Sequence, residues 1–529
     1  MRSAAPGSNF DVIVIGGGLN GLVCGTMLAQ AKRRVVLIEA RERVGGLCQS
    51  SEVSPGTRVS TFAHLVGPLD PEVVKALKLT KLGLQFSAKQ IGAVALSPDG
   101  RHIALGDDLR HTSQSLATYS PEDAKAWANF ETKIRKSAQH IAPWMHQAVV
   151  SSGESGGRSG FFGGRTVGRN INPLEAEFAS RLDGSLTQLL NETFETPLLK
   201  GAIAFDTLLG NALAPSMNGT AFLLVMKRAL DWQNAGGICH PQGGAGGLVQ
   251  AVVKAAEASA LKIKTNARAK QFLFEEGRIV GVELTSGETV YASCIVSSLG
   301  PKKTYLHMGA ERDLPLGFKR QLRGLRNEGS VAKVNLALNG APSFKGLDKK
   351  HLKDRLLVCS SIDELEQSFT AYEQGRFAQE IGLEITIPSM HDASLCRPGQ
   401  HAMSINVAYV PRQLSSGSWD VAKESLMTMV GAKLRQYAPE LPDQVVAADI
   451  FSPQDIAEVS GDENGHWHGG DLCIDQLGVF RPAFTAHERP SPVPGLFLCG
   501  AGTHPCGGLT GINGRLAFEA VVSFLADRE

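Results

Sequence analysis

The 529-residue sequence predicts an α/β protein whose parallel-sheet domain is built from three separated stretches of chain, joined to a mixed α+β domain. Three observations carry this. An apolar run, Asp11–Ile15, leads into closely spaced glycines and then a helical pattern. A second block, residues 236–304, holds a glycine turn, a helix and several β-rich runs. A third apolar run, Leu496–Cys499, ends in another glycine-rich turn and a helix. Strands alternating with helices point to a layered sheet with helices on its faces.

In the first block, Asp11–Ile15 is short, apolar and β-branched, as a buried parallel strand should be. Gly16, Gly18 and Gly21 at its end form G-x-G-x-x-G, with Leu19 and Asn20 between them. A helix is expected over Leu22–Ala31 and a second strand over Val35–Ile38. Glu39 ends that strand, eighteen residues after Gly21. Each part has a physical task. Gly16 permits the tight turn, Gly18 lets a pyrophosphate approach the backbone, and Gly21 lets helix and strand pack closely. The helix N-terminus offers free N–H groups and positive dipole to phosphates. Glu39 can accept hydrogen bonds from a ribose diol and repels a 2′-phosphate. A purely structural glycine turn would leave the position of Glu39 a coincidence.

After Glu39 come Ala40 and Arg41, then the glycine pair Gly45 and Gly46 in "ARERVGG". An NAD site has no need of this basic, glycine-paired segment. An FAD site does, because the extended cofactor must thread past it, so FAD is the expected cofactor. "GGAGGLVQ" lacks a preceding strand and a spaced acid, so a second dinucleotide such as NAD(P)H is not expected as a stoichiometric substrate.

Composition narrows the remaining classes. Hydrophobic residues are 43% and charged residues 20%, an ordinary globular balance. A net charge of +1 leaves no basic footprint for nucleic acid. The nine cysteines include no C-x-x-C pair, and Cys499 and Cys506 fit no zinc spacing, so reduced buried thiols are expected. No apolar stretch reaches the roughly 18 residues of a membrane span. The first ten residues lack the apolar core of a secretion signal. A cytoplasmic or mitochondrial-matrix protein is the expectation.

Further along, Pro71–Leu79 has helical apolar spacing with lysines opposite, which suits an ordinary surface helix or one lying on a membrane. Runs around Asp99-Gly100 predict a hairpin. Pro121–Val150 predicts a helix with Ser120 as N-cap. Residues 151–170 break periodicity and read as a flexible loop, with Phe161 and Phe162 as an apolar anchor or a lid or membrane contact. Strands are expected at Leu261–Thr265, on both sides of Glu276-Gly277, and at Cys294–Ser297. Residues 1–75, 236–304 and 452–529 would form the nucleotide domain. Residues 76–235 and 305–451 would form the substrate domain.

"VIGGGLNGLV", "EARERVGG", "PQGGAGGLVQAV", "GHWHGGDLCIDQLGVFRP" and "GLFLCGAGTHPCGGLTGINGR" together resemble phytoene-desaturase-like FAD-dependent oxidoreductases, relatives of carotenoid desaturases and isomerases. Within that group they resemble the pyridine nucleotide-disulphide oxidoreductase domain-containing branch. The first two motifs are shared by many flavoproteins; the last two are specific. The resemblance implies a discontinuous Rossmann-type FAD-binding domain with a mixed α+β substrate domain, in the amine-oxidase/phytoene-desaturase architecture. It implies that the last strand and a helix over Gly514–Leu525 close on the flavin. Gly500, Gly508, Leu509, Thr510 and Gly511 carry over as cofactor contacts, and Ala269 takes the place often held by valine beside the adenine. No paired redox cysteines accompany the name of the branch, so disulphide chemistry is not supported.

In such proteins the flavin carries the redox chemistry and accepts a hydride or electrons at N5. The protein then needs a channel more than a catalytic triad. His504, inside the glycine turn, is the candidate proton shuttle, against the plainer reading that it hydrogen-bonds the turn. His466 and His468 form H-x-H near Glu463, but flavin suffices and no metal is expected. Arg481 is either an anion anchor or a partner of the turn. Trp467 and Phe480 are either cavity walls or core. The expected function is a desaturase, dehydrogenase or isomerase acting on a small apolar, carotenoid- or lipid-like substrate, with peripheral membrane contact left open. A flavin amine oxidase is the first alternative. Six tyrosines in the chain, none near Cys499–Gly514, count against the paired aromatics such enzymes often use. A non-catalytic lipid-binding or interaction protein is the second, since Rab escort proteins share the architecture.

Overall fold

The computed structural model describes residues 10–106, 108–145, 180–232, 237–482 and 491–527. The loop expected at 151–170, with Phe161 and Phe162, lies outside the described residues.

Among the described residues the strands form two seven-stranded sheets and two small ones. In the first large sheet, Phe10–Ile15 lies parallel to Val35–Ile38 on one side and to Thr289–Ser297 on the other. Lys262–Lys264 extends it beyond Val35–Ile38, and Leu496–Leu498 pairs with Thr289–Ser297. Ala269–Glu275 and Arg278–Leu284 turn antiparallel around Glu276-Gly277 and finish the other edge. The central strands are apolar throughout because both faces are covered. Val12 and Val14 share a core with Leu22, Val23, Leu248, Val252, Ala517 and Val521, from helices Leu19–Gln30, Ala245–Ala258 and Ile512–Ala526. Ile13 and Ile15 pack on the opposite face with Tyr305, Met308, Phe318 and Leu322. Residues 301–323 therefore pack against this sheet, and the chain returns to the second sheet only beyond them.

Two helices open directly on their glycine turns. The first begins at Leu19, because extended Gly18 serves as its N-cap. The last begins at Ile512, capped by Gly511 at φ +79°. The helix expected over Pro71–Leu79 is shorter, Pro71–Ala76, and Asp70 caps it by accepting from the Glu72 and Val73 amides. Val73, Leu77 and Leu79 are buried in the same core as Leu22 and Val23. Its apolar side thus packs inward, as in an ordinary amphipathic helix. Among the described residues no helix is long and apolar enough to cross a membrane.

The second sheet runs Val445–Phe451, Val331–Leu338, His401–Ala408, Leu383–Thr386, Arg355–Val358, Ala93–Leu96, His102–Leu105. The hairpin at Asp99-Gly100 joins its last two strands. Val94, Leu356 and Val358 face a core shared with helix Trp419–Tyr437. Ala95 and Leu357 face a helical cluster that includes Pro121–Met145, Pro197–Leu208 and Thr220–Trp232.

One buried carboxylate ties two of these helices. Asp123, 1% exposed, accepts from the Glu195 amide at 2.8 Å and the Thr196 amide at 2.7 Å, just ahead of helix Pro197–Leu208. Asp123→Ala strands two N–H groups in the interior and is expected to cost about 1–3 kcal/mol. Urea unfolding checks it; Asp123→Asn, which keeps one acceptor, should lose less.

Candidate active site

A cavity of about 230 Å³ lies where strands Phe10–Ile15, Val35–Ile38, Thr289–Ser297 and Leu496–Leu498 reach their carboxyl ends. Open α/β sheets bind ligands in such crevices. Gly16, Gly18, Leu19, Asn20, Glu39, Ala40, Arg41, Gly45, Gly46, Ala269, Gly500, Gly508 and Leu509 all line it. The glycines there serve different ends. A Cβ on Gly16 would lie 2.3 Å from the Ser298 hydroxyl, and one on Gly21 would lie 2.1 Å from the Gly16 carbonyl oxygen. Gly21 therefore works beneath the cavity, holding helix to strand. A Cβ on Gly18 would meet nothing within 4 Å. Its missing side chain leaves the room a phosphate requires.

Glu39 is held in place by its own loop. One carboxylate oxygen accepts from the Gly17 amide at 2.7 Å and the other from the Arg41 amide at 2.9 Å. The Gly45 amide donates to the Gly17 carbonyl at 2.7 Å, closing the Arg41–Gly46 segment onto the phosphate turn. Three buried groups of residues on the cavity wall lack partners among the described residues: Nη1 of Arg41, Oδ2 of Asp462 and Nε1 of Trp467. Burial pushes the Asp462 carboxyl above its ordinary range. An orphaned guanidinium nitrogen and an orphaned carboxylate oxygen suit the phosphates and hydroxyls of a dinucleotide.

Of the five positions singled out in the C-terminal turn, Gly500, Gly508 and Leu509 line this cavity. A Cβ on Gly500 would lie 2.6 Å from the Ser298 carbonyl oxygen. The Asn513 amide nitrogen donates to the carbonyls of Thr503 at 3.0 Å, Gly500 at 3.2 Å and His504 at 3.3 Å. Leu509 has φ +59°, a left-handed conformation uncommon outside glycine. Thr510 lines a second cavity instead. Gly511 lines neither, and a Cβ there would meet Val73 and Val23. Its glycine serves internal packing and a left-handed cap. His504, a buried residue of the turn at 4% exposure, also lines neither cavity. Arg481 is a partner of the turn: it donates to the carbonyls of His468, Gly470, Asp471, Gln476 and Ala501. His466 accepts the His468 amide on Nδ1, so its Nε2 donates to Asp471 at 3.0 Å. No three His, Cys, Asp or Glu side chains among the described residues group as metal ligands.

The second cavity, about 260 Å³, shares Leu47, Trp467, Gly507, Gly508 and Leu509 with the first. Phe62, Leu65, Leu209, Leu223, Met226, Leu230, Ile456 and Leu472 make most of its wall apolar. Trp467 fits because Gly210, at φ +94°, has no Cβ; one would lie 2.0 Å from the indole nitrogen. Phe480 lines neither cavity.

One wall differs. Lys333, 1% exposed at the third position of strand Val331–Leu338, contacts Nδ1 of His64. Burial pushes Lys333 down to about 7, against the opposing pull of Glu384. Burial also holds His64 well below the usual imidazole range, with Lys333 and His240 adding to the effect. Glu384 accepts from Arg355 Nε at 2.7 Å and from Asn406 at 2.7 Å. Arg355 also pairs with Asp206, which Lys227 meets at 2.7 Å. Although burial raises the Asp206 carboxyl, Arg355 and Lys227 hold it below its ordinary range. Sequence reasoning missed this group. Its one visible signal was a lysine inside the otherwise strand-like "VAKVNLAL".

The Glu39 geometry generates a prediction. Glu39→Ala removes the expected ribose acceptor and unpairs the Gly17 and Arg41 amides. FAD affinity, measured by titrating apoprotein, should fall by about 1.5–3 kcal/mol, roughly ten- to a hundred-fold.

Comparison with known proteins agrees with this geometry. Residues 19–379 match the family described as flavin containing amine oxidoreductase. The chain is 28% identical to the rat pyridine nucleotide-disulfide oxidoreductase domain-containing protein 2, over 97% of this chain and 93% of the relative. It is 26% identical to a limonene dehydrogenase component of Castellaniella defragrans, over 97% and 94% of the two chains. Among solved structures, wild-type putrescine oxidase bound to putrescine superposes with a TM-score of 0.64 at 15% identity, covering 98% of this chain and 99% of the other; at that identity the likeness is one of fold. The chain belongs to the flavin-containing amine oxidoreductase family and is an FAD-dependent oxidoreductase.

Proposed function

We propose that the protein dehydrogenates or isomerises a small apolar, carotenoid- or lipid-like molecule. The observation that carries this is the second cavity: an apolar chamber that meets the nucleotide cavity along Gly507–Leu509 and Trp467. FAD, when bound, supplies the hydride acceptor. The residues of the chain then have three tasks. The apolar wall selects and desolvates substrate. Trp467 and the Gly507–Leu509 backbone bound the passage between the cavities. Lys333, which burial leaves close to half-protonated near neutral pH, can take the proton lost when adjacent carbons give up one hydrogen as hydride and the other as a proton.

Amine oxidation finds less support. A free carboxylate would be the natural partner of a substrate ammonium, and both carboxylates lining the chamber are already paired. Asp206 is held by Lys227 and Arg355, and Glu384 by Arg355 and Asn406. The limonene dehydrogenase relative acts, by its name, on a hydrocarbon, which favours the apolar reading.

Anaerobic mixing with polyenes, monoterpenes, fatty acyl compounds and amines tests this reading through loss of flavin absorbance. Bleaching by apolar members is expected; bleaching by amines alone overturns it. With a productive substrate the rate should rise as pH passes about 7 and Lys333 loses its proton. Lys333→Met should remove that limb and slow bleaching by about 10²–10⁴-fold.

The same lysine affects stability. Its proton is bound more weakly in the folded protein than in the unfolded chain. The cost of burying its charge is therefore fully present below about 7 and is relieved as pH rises toward the ordinary 10.5. The wild type should gain stability relative to Lys333→Met across that window in urea titrations.

A further inference from the structure

Beyond the apolar chamber lies a third cavity of about 850 Å³, lined in part by Trp127, Ala202, Leu224 and Arg135. The chamber and this outer cavity have four residues in common: Asp206, Lys227, Ile238 and Arg355. The two spaces thus meet at an ion cluster. Arg355 is 5% exposed and bridges Asp206 on one side and Glu384 on the other. The bridge is anchored by separate rigid elements. Asp206 comes from helix Pro197–Leu208 and Lys227 from helix Thr220–Trp232. Arg355 and Glu384 come from adjacent strands whose register places Leu357 opposite Glu384.

Buried ion clusters of this kind are weak stabilisers, since apolar residues of similar volume often serve stability as well or better. An alkyl chain gains free energy from each methylene buried against an apolar wall. Against Arg355 it would have to displace or desolvate a paired charge, which opposes further entry. We propose that the Asp206–Arg355–Glu384 cluster is the end wall of the chamber and sets the length of the apolar substrate it accepts. The inference rests on the apolar-substrate reading given above. It makes Arg355 a specificity-determining residue that need not touch the reacting atoms: substrates short enough to stop at the cluster bind, and longer ones are refused although an outer cavity lies directly behind it.

The experiment uses the FAD-loaded protein and n-alkanols from hexanol to octadecanol, read by the shift of the visible flavin spectrum. In the wild type the response should vanish beyond a cut-off length. Arg355→Met combined with Glu384→Gln removes one charge of each sign and leaves Asp206 paired with Lys227; it should extend the cut-off by several methylenes. Ile238→Ala thins the same wall without touching a charge and should also lengthen it. Should the double variant fail to retain FAD, Ile238→Ala decides alone. An unchanged cut-off in variants that hold FAD overturns the end-wall proposal and leaves the apolar-substrate reading standing. No response of the wild type to any alkanol overturns both.

Discussion

Three distant stretches of chain must end at one point, and Ser298 is that point. Its amide and hydroxyl both donate to the Ile15 carbonyl at 2.9 Å, and the hydroxyl also reaches the Gly16 carbonyl. Its carbonyl oxygen lies where a Cβ on Gly500 would have to go. Parallel register brings the strands to this level, and glycine at positions 16 and 500 lets them stop there. The nucleotide crevice is the space left above that junction. The Glu39 loop, the C-terminal turn and the opening into the apolar chamber all take their positions from it.

The two inner cavities solve opposite electrostatic problems. The nucleotide cavity is dressed with backbone amides and a few fixed charges, so a polyanionic ligand replaces water without losing partners. The substrate chamber is mostly hydrocarbon, and its charges are gathered on one wall where they satisfy each other. Lys333 stands apart in that group. Its charge is only marginally tolerated, which makes it responsive to any change in what occupies the chamber. Structural pairing and chemical availability are thus divided between neighbours: Arg355 is locked by carboxylates, while Lys333 and His64 face each other without one in direct hydrogen-bond contact.

What was readable in the sequence depended on distance along the chain. The phosphate turn, Glu39 and the Arg41–Gly46 loop lie within a few dozen residues, and their spacing encodes their geometry. The wall of Asp206, Lys333, Arg355 and Glu384 joins residues up to 178 positions apart, so no local pattern announces it. Glycine proved ambiguous in a specific way. Gly18 and Gly511 both looked like residues that admit a cofactor. The first faces open space, whereas the second makes room for Val73 and Val23. A sequence shows that backbone must come close to something; only packing decides whether that something is ligand or protein. His504 carried the same ambiguity, and Lys333 the reverse: a polar residue in a strand pattern looked ordinary until its burial was known.

The convergence at Ser298 also has a consequence in time. At about 5–20 residues per second the Gly16 turn and Gly500 leave the ribosome roughly 25–100 s apart. The first strand waits nearly three hundred residues for Thr289–Ser297, which in turn waits about two hundred more for Leu496–Leu498. Such long-range pairing is slow to form and leaves strand edges exposed meanwhile. The crevice cannot close around a cofactor until Gly500 has been made, so capture of the flavin has to follow synthesis of all three stretches.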